Sequence, residues 1–470
     1  MKMLADPGHV LEEGLTAIRR EFQLPEGFPP EVMAAAERAA ARVPSEHVDR
    51  TDRPFVTLDP AASTDLDQAF TIEPAGADLI LQYAIADVAW FVSDGDVIDQ
   101  EAWRRGTSLY LPDGKVSLYP PALGEHAASL LPDGPRPAIV FAVRIDPNGI
   151  ATLDGAERAL IRSRAKLGYE TVRDEDLPAS FGEFARRAAF AEDRRGAARI
   201  DVPEQEVERG PDGHFDLRFR PRRPAEDHNA ALSLATNIAV AQALLAKHTG
   251  LFRTMAVPDE HATQRLRHTA RAYGLKWPHG ATLAQFQRML DPSDPRQAAF
   301  GQAVHRAGSG ARYEPFKEGV LPWHAAVASP YAHATAPLRR LADRYVVQAA
   351  FAIANGRDVP LAVSEAFVKL PKVMSRADSL GGRIERDVID LAEAIMLRGQ
   401  EGRSFPALVT DIDERGARVQ LRDMPVVTRL VTQGLMPGEP LDLRLVAVDL
   451  DHRTLRFDVA KDDGTSPLTV

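Results

Sequence analysis

VTLDPAASTDLDQA, residues 56–69, sets Asp59, Asp65 and Asp67 at the end of a segment that enters as a strand. The run Phe55, Val56, Thr57 and Leu58 favours extended backbone, Pro60 stops it, and Ser63 and Thr64 let the chain curl back so that Asp59 faces the acids of the loop. Hard divalent cations take oxygen ligands, and magnesium usually accepts one or two carboxylates and completes its shell with water and substrate phosphate. Three acids at one point therefore suit one or two ions gripping a phosphodiester. A lone D-x-D in a turn is more often local hydrogen bonding or solvated charge. The weight of this reading rests on the rest of the chain.

Outward from this loop, strands are expected at Phe70–Glu73 and Leu79–Ile85, with a hairpin from Ala138 to Ile145 turning at DPNG. The chain turns mainly helical after Asp227. Pro337 suits the first turn of a helix running to about Asn355, and a long helical stretch follows Ala362, interrupted near Pro371. Gly402 marks a change in composition. Beyond it, residues 404 to about 462 read as short strands, with a turn at Gly416 and Ala417 and a last hairpin about Asp449 to Arg453. Ahead of the acid loop, Val10, Leu11, Leu15, Ile18 and Phe22 form one apolar face, and Val32, Ala35, Ala36, Ala39 and Val43 a second. Two short helices about LPEGFPP make a helix-turn-helix or simply pack on neighbours. The expected fold class is α+β: a helical arm (1–54), a central region with a β-rich first half and a helical second half (55–402), and a strand-rich module (403–470).

The 470 residues contain no cysteine, so disulfides and thiolate metal sites are excluded. The start shows no apolar stretch of signal-peptide length, and the greasiest segment, Ala230–Ala246, is broken by Ser233, Thr236, Asn237 and Gln242, so a cytoplasmic protein without a membrane span is expected. A net charge of −10 argues against indiscriminate coating of nucleic acid. It leaves room for an enclosed arginine-lined channel, because distant surface acids are screened over about 8 Å.

The loop TLDPAASTDLDQA resembles the signature of the ribonuclease II (RNB) family, a first Asp followed by a D-x-D-D cluster, and YAHATAPLRRLADRY, Tyr331 to Tyr345, is similar to the family's second motif. IADVAWFVSDGDVIDQEAWRRGTSLYLPDGKVSLYPPAL, RSRAKLGYETV and RIERDVIDL match further family segments, so the resemblance runs from about Leu24 to Val459. The strand-rich module resembles an S1 domain, a five-stranded OB barrel that binds single-stranded RNA. It has no Tyr or Trp, and its phenylalanines are Phe405 and Phe457, so weak RNA binding is expected there, with Arg418, Arg422 and Arg429 as candidate contacts. An arm of this length has no room for the cold-shock barrels that larger members carry, so part of the usual RNA clamp is expected to be missing.

The resemblance implies a processive, magnesium-dependent 3′ to 5′ exoribonuclease, with manganese as an alternative ion, that converts single-stranded RNA to 5′ nucleoside monophosphates. It implies Asp59, Asp65 and Asp67 as metal ligands, Asp67 and Arg339 as catalytic residues, and Tyr110, Tyr169, Arg340 and Glu385 as RNA-binding residues. Arg340 also reads as one half of a structural ion pair, and Tyr110 as a core tyrosine. Phe215 and Phe219 are candidates for a second stacking ring or for a hairpin core. His324 and His333 lie away from the acids in sequence, which gives a zinc site little support. The main departure is Gln68, at the family's fourth aspartate: its amide oxygen can ligate magnesium but brings no charge. The alternative reading is therefore a noncatalytic RNA-binding relative weakened at its metal site. A calcium-stabilised scaffold would need a ligand at every second loop position and a turn glycine, which this loop lacks.

Overall fold

The structure is a computed structural model that describes residues 10–460 other than 198–203, 210–214, 221–222, 292–293, 309, 414–415 and 432–433. The first nine residues of the arm and the end of the last module, 461–470, lie outside the described residues.

The acid loop is the connection between two strands of a seven-stranded sheet. Strands β1 (Val48–Asp49), β2 (Phe55–Asp59), β3 (Gln68–Ala75) and β4 (Asp78–Ala86) precede a small separate hairpin, β5 (Leu109–Leu111) and β6 (Gly114–Val116). Strands β7 (Arg136–Ile145), β8 (Ala151–Ile161) and β9 (Ser163–Gly168) complete the sheet in the order β1-β8-β7-β4-β3-β2-β9. The two edge pairs are parallel and the interior pairs antiparallel. β2 and β3 share the single pair Val56–Phe70, so they part towards Asp59 and Gln68, and this parting opens the sheet at the acids. The β7–β8 turn is DPNG, as its sequence implies: Asp146 Oδ1 accepts from the Asn148 and Ile150 amides. Gly149 there has φ 75°, and a Cβ would lie 2.0 Å from the Arg187 carbonyl oxygen, so only glycine fits.

A middle helix, Pro224–Ala246, starts on Pro224 with Glu226 and Asp227 in its first turn, a charge placement that suits a helix N-terminus. By length and composition it can cross a membrane. In this fold it packs across β8 and β7, and its polar groups are satisfied internally: the Ala334 amide donates to Asn237 Oδ1, and Asn237 Nδ2 donates to the Tyr331 hydroxyl. The helix Leu341–Ala354 covers the same sheet, giving a core that includes Phe55, Tyr83, Phe141, Leu232, Val240 and Val346.

Two expectations are corrected here, and of the two readings of the arm the packing one is observed. The arm helices α1 (Val10–Glu21) and α2 (Pro30–Ala40) do not form a helix-turn-helix unit: Leu11, Leu15 and Ile18 bury against Ile384, Val388 and Leu391, whereas α2 packs against Val97–Arg105 and Ala122–Ala127. Gly14 is the crossing point, since a Cβ there would lie 2.4 Å from a Leu391 methyl. The long helix is not interrupted near Pro371 but runs continuously from Leu361 to Leu397. Burial of Phe367, Leu370 and Met374 around the proline sustains it, although the missing N–H removes one helical bond. Gly416 and Ala417 are not a turn but lie on a strand, paired to Asp413 and Ile412.

The last module folds as five antiparallel strands, Ser404–Asp413, Gly416–Leu421, Val427–Leu430, Pro440–Asp449 and Thr454–Val459. In sheet order they run third, second, first, fourth, fifth, and the outer two approach each other to form a nearly closed barrel consistent with an OB fold. Bulges at Val409/Asp411 and Leu445/Ala447 supply the curl. Its core of Val409, Val419, Leu443 and Leu445 takes in Leu397 from the long helix. The hairpin Glu204–Arg209 with Phe215–Arg220 lays Phe215 and Leu217 on the long helix, so Phe215 fills a core rather than stacking on a base.

Candidate active site

Ser129 shapes the acid loop, for its Oγ accepts from the Leu66 amide at 2.8 Å and donates to the Thr64 carbonyl at 2.7 Å. The Asp67 carbonyl accepts from the Ala86 amide. These bonds hold Leu66 in the core and direct the Asp67 carboxylate, 3% exposed, into the space where β2 and β3 part.

The second motif meets it there. Residues 337–340 are a turn, not the first turn of a helix: Arg340 is extended (φ −131°, ψ 121°) and the helix begins at Leu341. The cause is tertiary. Thr107 Oγ1 and the Ser108 amide both donate to the Arg339 carbonyl at 2.7 and 2.9 Å, and Gly106 accepts from the Leu341 amide, so this segment claims the backbone groups a helix would have used. Asp343, fully buried, accepts from the Ala336 amide at 2.8 Å and closes the turn from the helix side. The turn aims the Leu338 amide and Arg339 Nε at the two oxygens of Asp67, at 2.7 and 2.8 Å.

Arg340 does not face this opening. Its guanidinium spans both oxygens of Asp343 at 3.0 and 2.7 Å, the structural ion pair of its other reading. Arg339 keeps 42% of its side chain exposed, and among the described residues no group accepts from its Nη atoms, which leaves two nitrogens for an anion in the cleft.

Three carboxylates share limited positive charge. Burial pushes Asp59 up to about 8, with Arg339 opposing, and pushes Asp67 up to about 6 despite the Arg339 guanidinium and the Leu338 amide. Asp65 accepts from the Tyr110 hydroxyl at 2.8 Å and lies 3.3 Å from Lys115 Nζ, which also reaches Glu125. Tyr110 is 58% exposed, so it is not a core tyrosine. Among the described residues no group of three His, Asp or Glu side chains is arranged to hold a metal ion. The donor chemistry still fits one that brings water and phosphate ligands, because Asp59 Oδ2 is buried with no hydrogen-bond partner and both buried acids are held above the usual carboxylate range.

Gln68 departs from its expected role as a ligand. Its Oε1 accepts from the Tyr83 hydroxyl at 2.6 Å, its Nε2 donates to Asn229 Oδ1 at 3.2 Å, and Asn229 Nδ2 donates to the Tyr169 hydroxyl at 2.7 Å. The amide is thus spent in a buried neutral chain. Tyr169 follows β9, and its amide donates to the Asp59 carbonyl at 3.1 Å, which places it beside the acids. Glu385 lies elsewhere, exposed on the long helix in a cavity shared with Arg386, Arg418, Arg429 and Arg453, between that helix and the barrel. Arg422 is exposed on the barrel. His333 is half-buried with its Nδ1 2.7 Å from the Tyr313 hydroxyl, and desolvation holds it well below the usual imidazole range.

Sequence reasoning missed Lys115, Thr107, Ser129, Tyr83 and Asn229. Lys115 stands five residues after Tyr110 in a tight hairpin, a spacing that places both beside the same acid. Ser129 and Tyr83 carry no local signal.

The RNB domain profile matches residues 47–353, and the RNase II-type exonuclease C-terminal S1 domain matches residues 403–460. Ribonuclease R of Aquifex aeolicus is 26% identical over 443 residues, covering 87% of this chain and 61% of that protein. The chain thus spans about three fifths of the length of such curated relatives. The structure of Mycoplasma genitalium RNase R in complex with ribose methylated single-stranded RNA superposes with a TM-score of 0.84 at 20% identity, covering 96% of this chain and 78% of that one. Yeast Ssd1, a pseudonuclease, superposes with a TM-score of 0.70 at 16% identity, covering 91% and 56%. With its profile match extending over more than half the residues, this chain belongs to the RNB family.

Proposed function

We propose that the chain is a magnesium-dependent 3′ to 5′ exoribonuclease that hydrolyses single-stranded RNA processively to 5′ nucleoside monophosphates in the cytoplasm, with manganese as a substitute ion. The observation that carries this is the Asp67–Arg339 pair, 272 residues apart in sequence, set beside the unpartnered Oδ2 of Asp59. Asp59, Asp65 and Asp67 are the residues that would hold the ion, which when bound supplies Lewis-acid charge at the scissile phosphate and acidifies water there. Arg339, anchored through Nε, presents its Nη atoms to the phosphate oxygens as negative charge builds on them. Tyr110, exposed beside Asp65, offers a ring face to the terminal bases, an interaction open to every base and therefore independent of sequence. Tyr169, joined through its amide to the Asp59 carbonyl, would contact the nucleotide from beside the acids. Relatives named ribonuclease R and exoribonuclease 2 support the class of reaction.

A second reading, a noncatalytic RNA-binding relative, is favoured by the neutral Gln68 and by the likeness to a pseudonuclease. A 5′-labelled RNA oligonucleotide separates the two. The nuclease shortens it stepwise from the 3′ end, releases mononucleotides, spares an all-DNA strand and stops in chelator. Endonucleolytic fragments at early times overturn the exonuclease reading, and silence at every magnesium concentration establishes the noncatalytic one.

A further inference from the structure

The chain through Gln68 has a direction. Tyr83 is fully buried, and among the described residues the oxygen that accepts its hydroxyl proton is Gln68 Oε1. With the oxygen engaged there, the Gln68 nitrogen faces Asn229 Oδ1, and the Asn229 nitrogen is left to donate to Tyr169. Reversing every link would strand the Tyr83 proton in the core, the costly arrangement for a buried donor. A phenol oxygen that accepts still has its own proton to give, and the Tyr169 hydroxyl donates to no acceptor among the described residues.

We propose that Gln68 is a positioning residue which, through Asn229, sets the Tyr169 hydroxyl as a hydrogen-bond donor to an acceptor oxygen, ribose or phosphate, of the nucleotide in the cleft. A carboxylate at position 68 has no proton for Asn229 Oδ1 and would break the chain at its second link. The neutral amide is therefore matched to Tyr83 and Asn229 and is more than a weakened ligand. The inference rests on the exoribonuclease reading for the identity of the bound nucleotide, and not for the direction of the chain.

The test is equilibrium binding of a fluorescein-labelled ribo-oligonucleotide to the full chain in chelator, comparing Tyr169→Phe, Gln68→Met, Asn229→Leu and the double variant Gln68→Met/Tyr169→Phe. Tyr169→Phe is expected to weaken binding on the order of tenfold, the scale of one hydrogen bond. Gln68→Met should weaken it comparably, and the double variant no further, because the two changes cut one chain. Should Gln68→Met melt at a much lower temperature, Asn229→Leu makes the same comparison from the other side of the link. Oligonucleotides with a 2′-deoxy terminal sugar or a methylphosphonate terminal linkage separate the acceptors: whichever change abolishes the effect of Tyr169→Phe names the oxygen. Additive losses, or unchanged affinity for Tyr169→Phe, overturn the proposal. So does an increased magnesium requirement for hydrolysis by Gln68→Met with RNA affinity intact, which would make Gln68 a ligand. An unmodified chain that binds with this coupling yet cleaves nothing leaves the positioning role standing and fails the nuclease reading.

Discussion

Two buried carboxylates close two regions of this molecule, and they are held in opposite ways. In the cleft, Asp67 accepts from a backbone amide and from the Arg339 guanidinium. At the junction of the long helix with the barrel, Glu393 Oε1 also accepts from a backbone amide, that of Val427 at 2.8 Å, but its second donor is the neutral amide of Gln205 at 2.6 Å. Burial pushes Asp67 to about 6 and Glu393 to about 8. At neutral pH the first is therefore mostly ionised and the second mostly protonated. A guanidinium is hydrogen-bonded to the first acid, and the side-chain donor to the second is a neutral amide.

Asp67→Asn breaks the comparison most severely. It should lower hydrolysis of a labelled oligonucleotide by about 10⁴-fold or more, the scale on which a catalytic carboxylate counts, while RNA binding in chelator persists. Glu393→Gln, the same charge removal at the junction, should leave the rate unchanged. Equal loss in both variants would mean that Asp67 serves the fold and not the chemistry.

Next in size is Asp343→Ala, which should destabilise the fold by about 3–5 kcal/mol, because Arg340 is left as a buried charge without its partner. Urea denaturation measures it. A loss under about 1 kcal/mol would show that Arg340 finds water and that the turn at 337–340 stands without its acid. Arg339→Lys keeps the charge but loses the fork that joins Asp67 to the phosphate, and a fall in rate of about a hundredfold is expected with stability little changed. An unaltered rate would deny that Arg339 touches the phosphate.

The α+β class, the strand leading into the acid loop and the DPNG hairpin were legible because local chemistry and burial agree there: β-branched runs, a turn with an aspartate and a glycine, alternating apolar residues. The five strands of the last module came from its resemblance to an S1 domain. What was not legible shares one physical cause, a partner distant in sequence. Pro337 has a helix-start preference, yet Thr107 and Ser108 reach in and take the Arg339 carbonyl. Pro371 should break a helix, yet buried neighbours on both sides carry it through. Two amphipathic arm helices look like a pair, but each has its own partner. The meeting of Asp67 with Arg339 could be anticipated from matched motifs. The Tyr83 acceptor that turns Gln68 away from a ligand's role could not, since nothing around Tyr83 in sequence marks it.

The smallest effect concerns Glu393 and sharpens the comparison through pH. Its value in the unfolded chain is near the ordinary 4.5 and in the fold about 8, raised by burial and opposed by the Val427 amide and Gln205. A group whose value is raised on folding favours the folded state while protonated. Its contribution is therefore fully present below about pH 4.5, declines as the unfolded chain ionises, and is exhausted once pH passes about 8 and the folded group ionises too. The melting temperature should fall across that window, and Glu393→Gln, which keeps an acceptor for Val427 without a titrating proton, should flatten that part of the profile. Asp390 on the same helix and Asp67 in the cleft are also pushed up by burial, to about 6, and Asp59 to about 8, so part of the slope should survive the substitution and the test is the difference between the two profiles. The decisive region lies between about 7 and 8, above the Asp390 transition, where of the two helix acids only Glu393 still changes its charge in the fold. If the unmodified chain and Glu393→Gln keep parallel melting profiles there, Glu393 is already ionised in the fold, and the contrast between a charged cleft and a neutral junction fails.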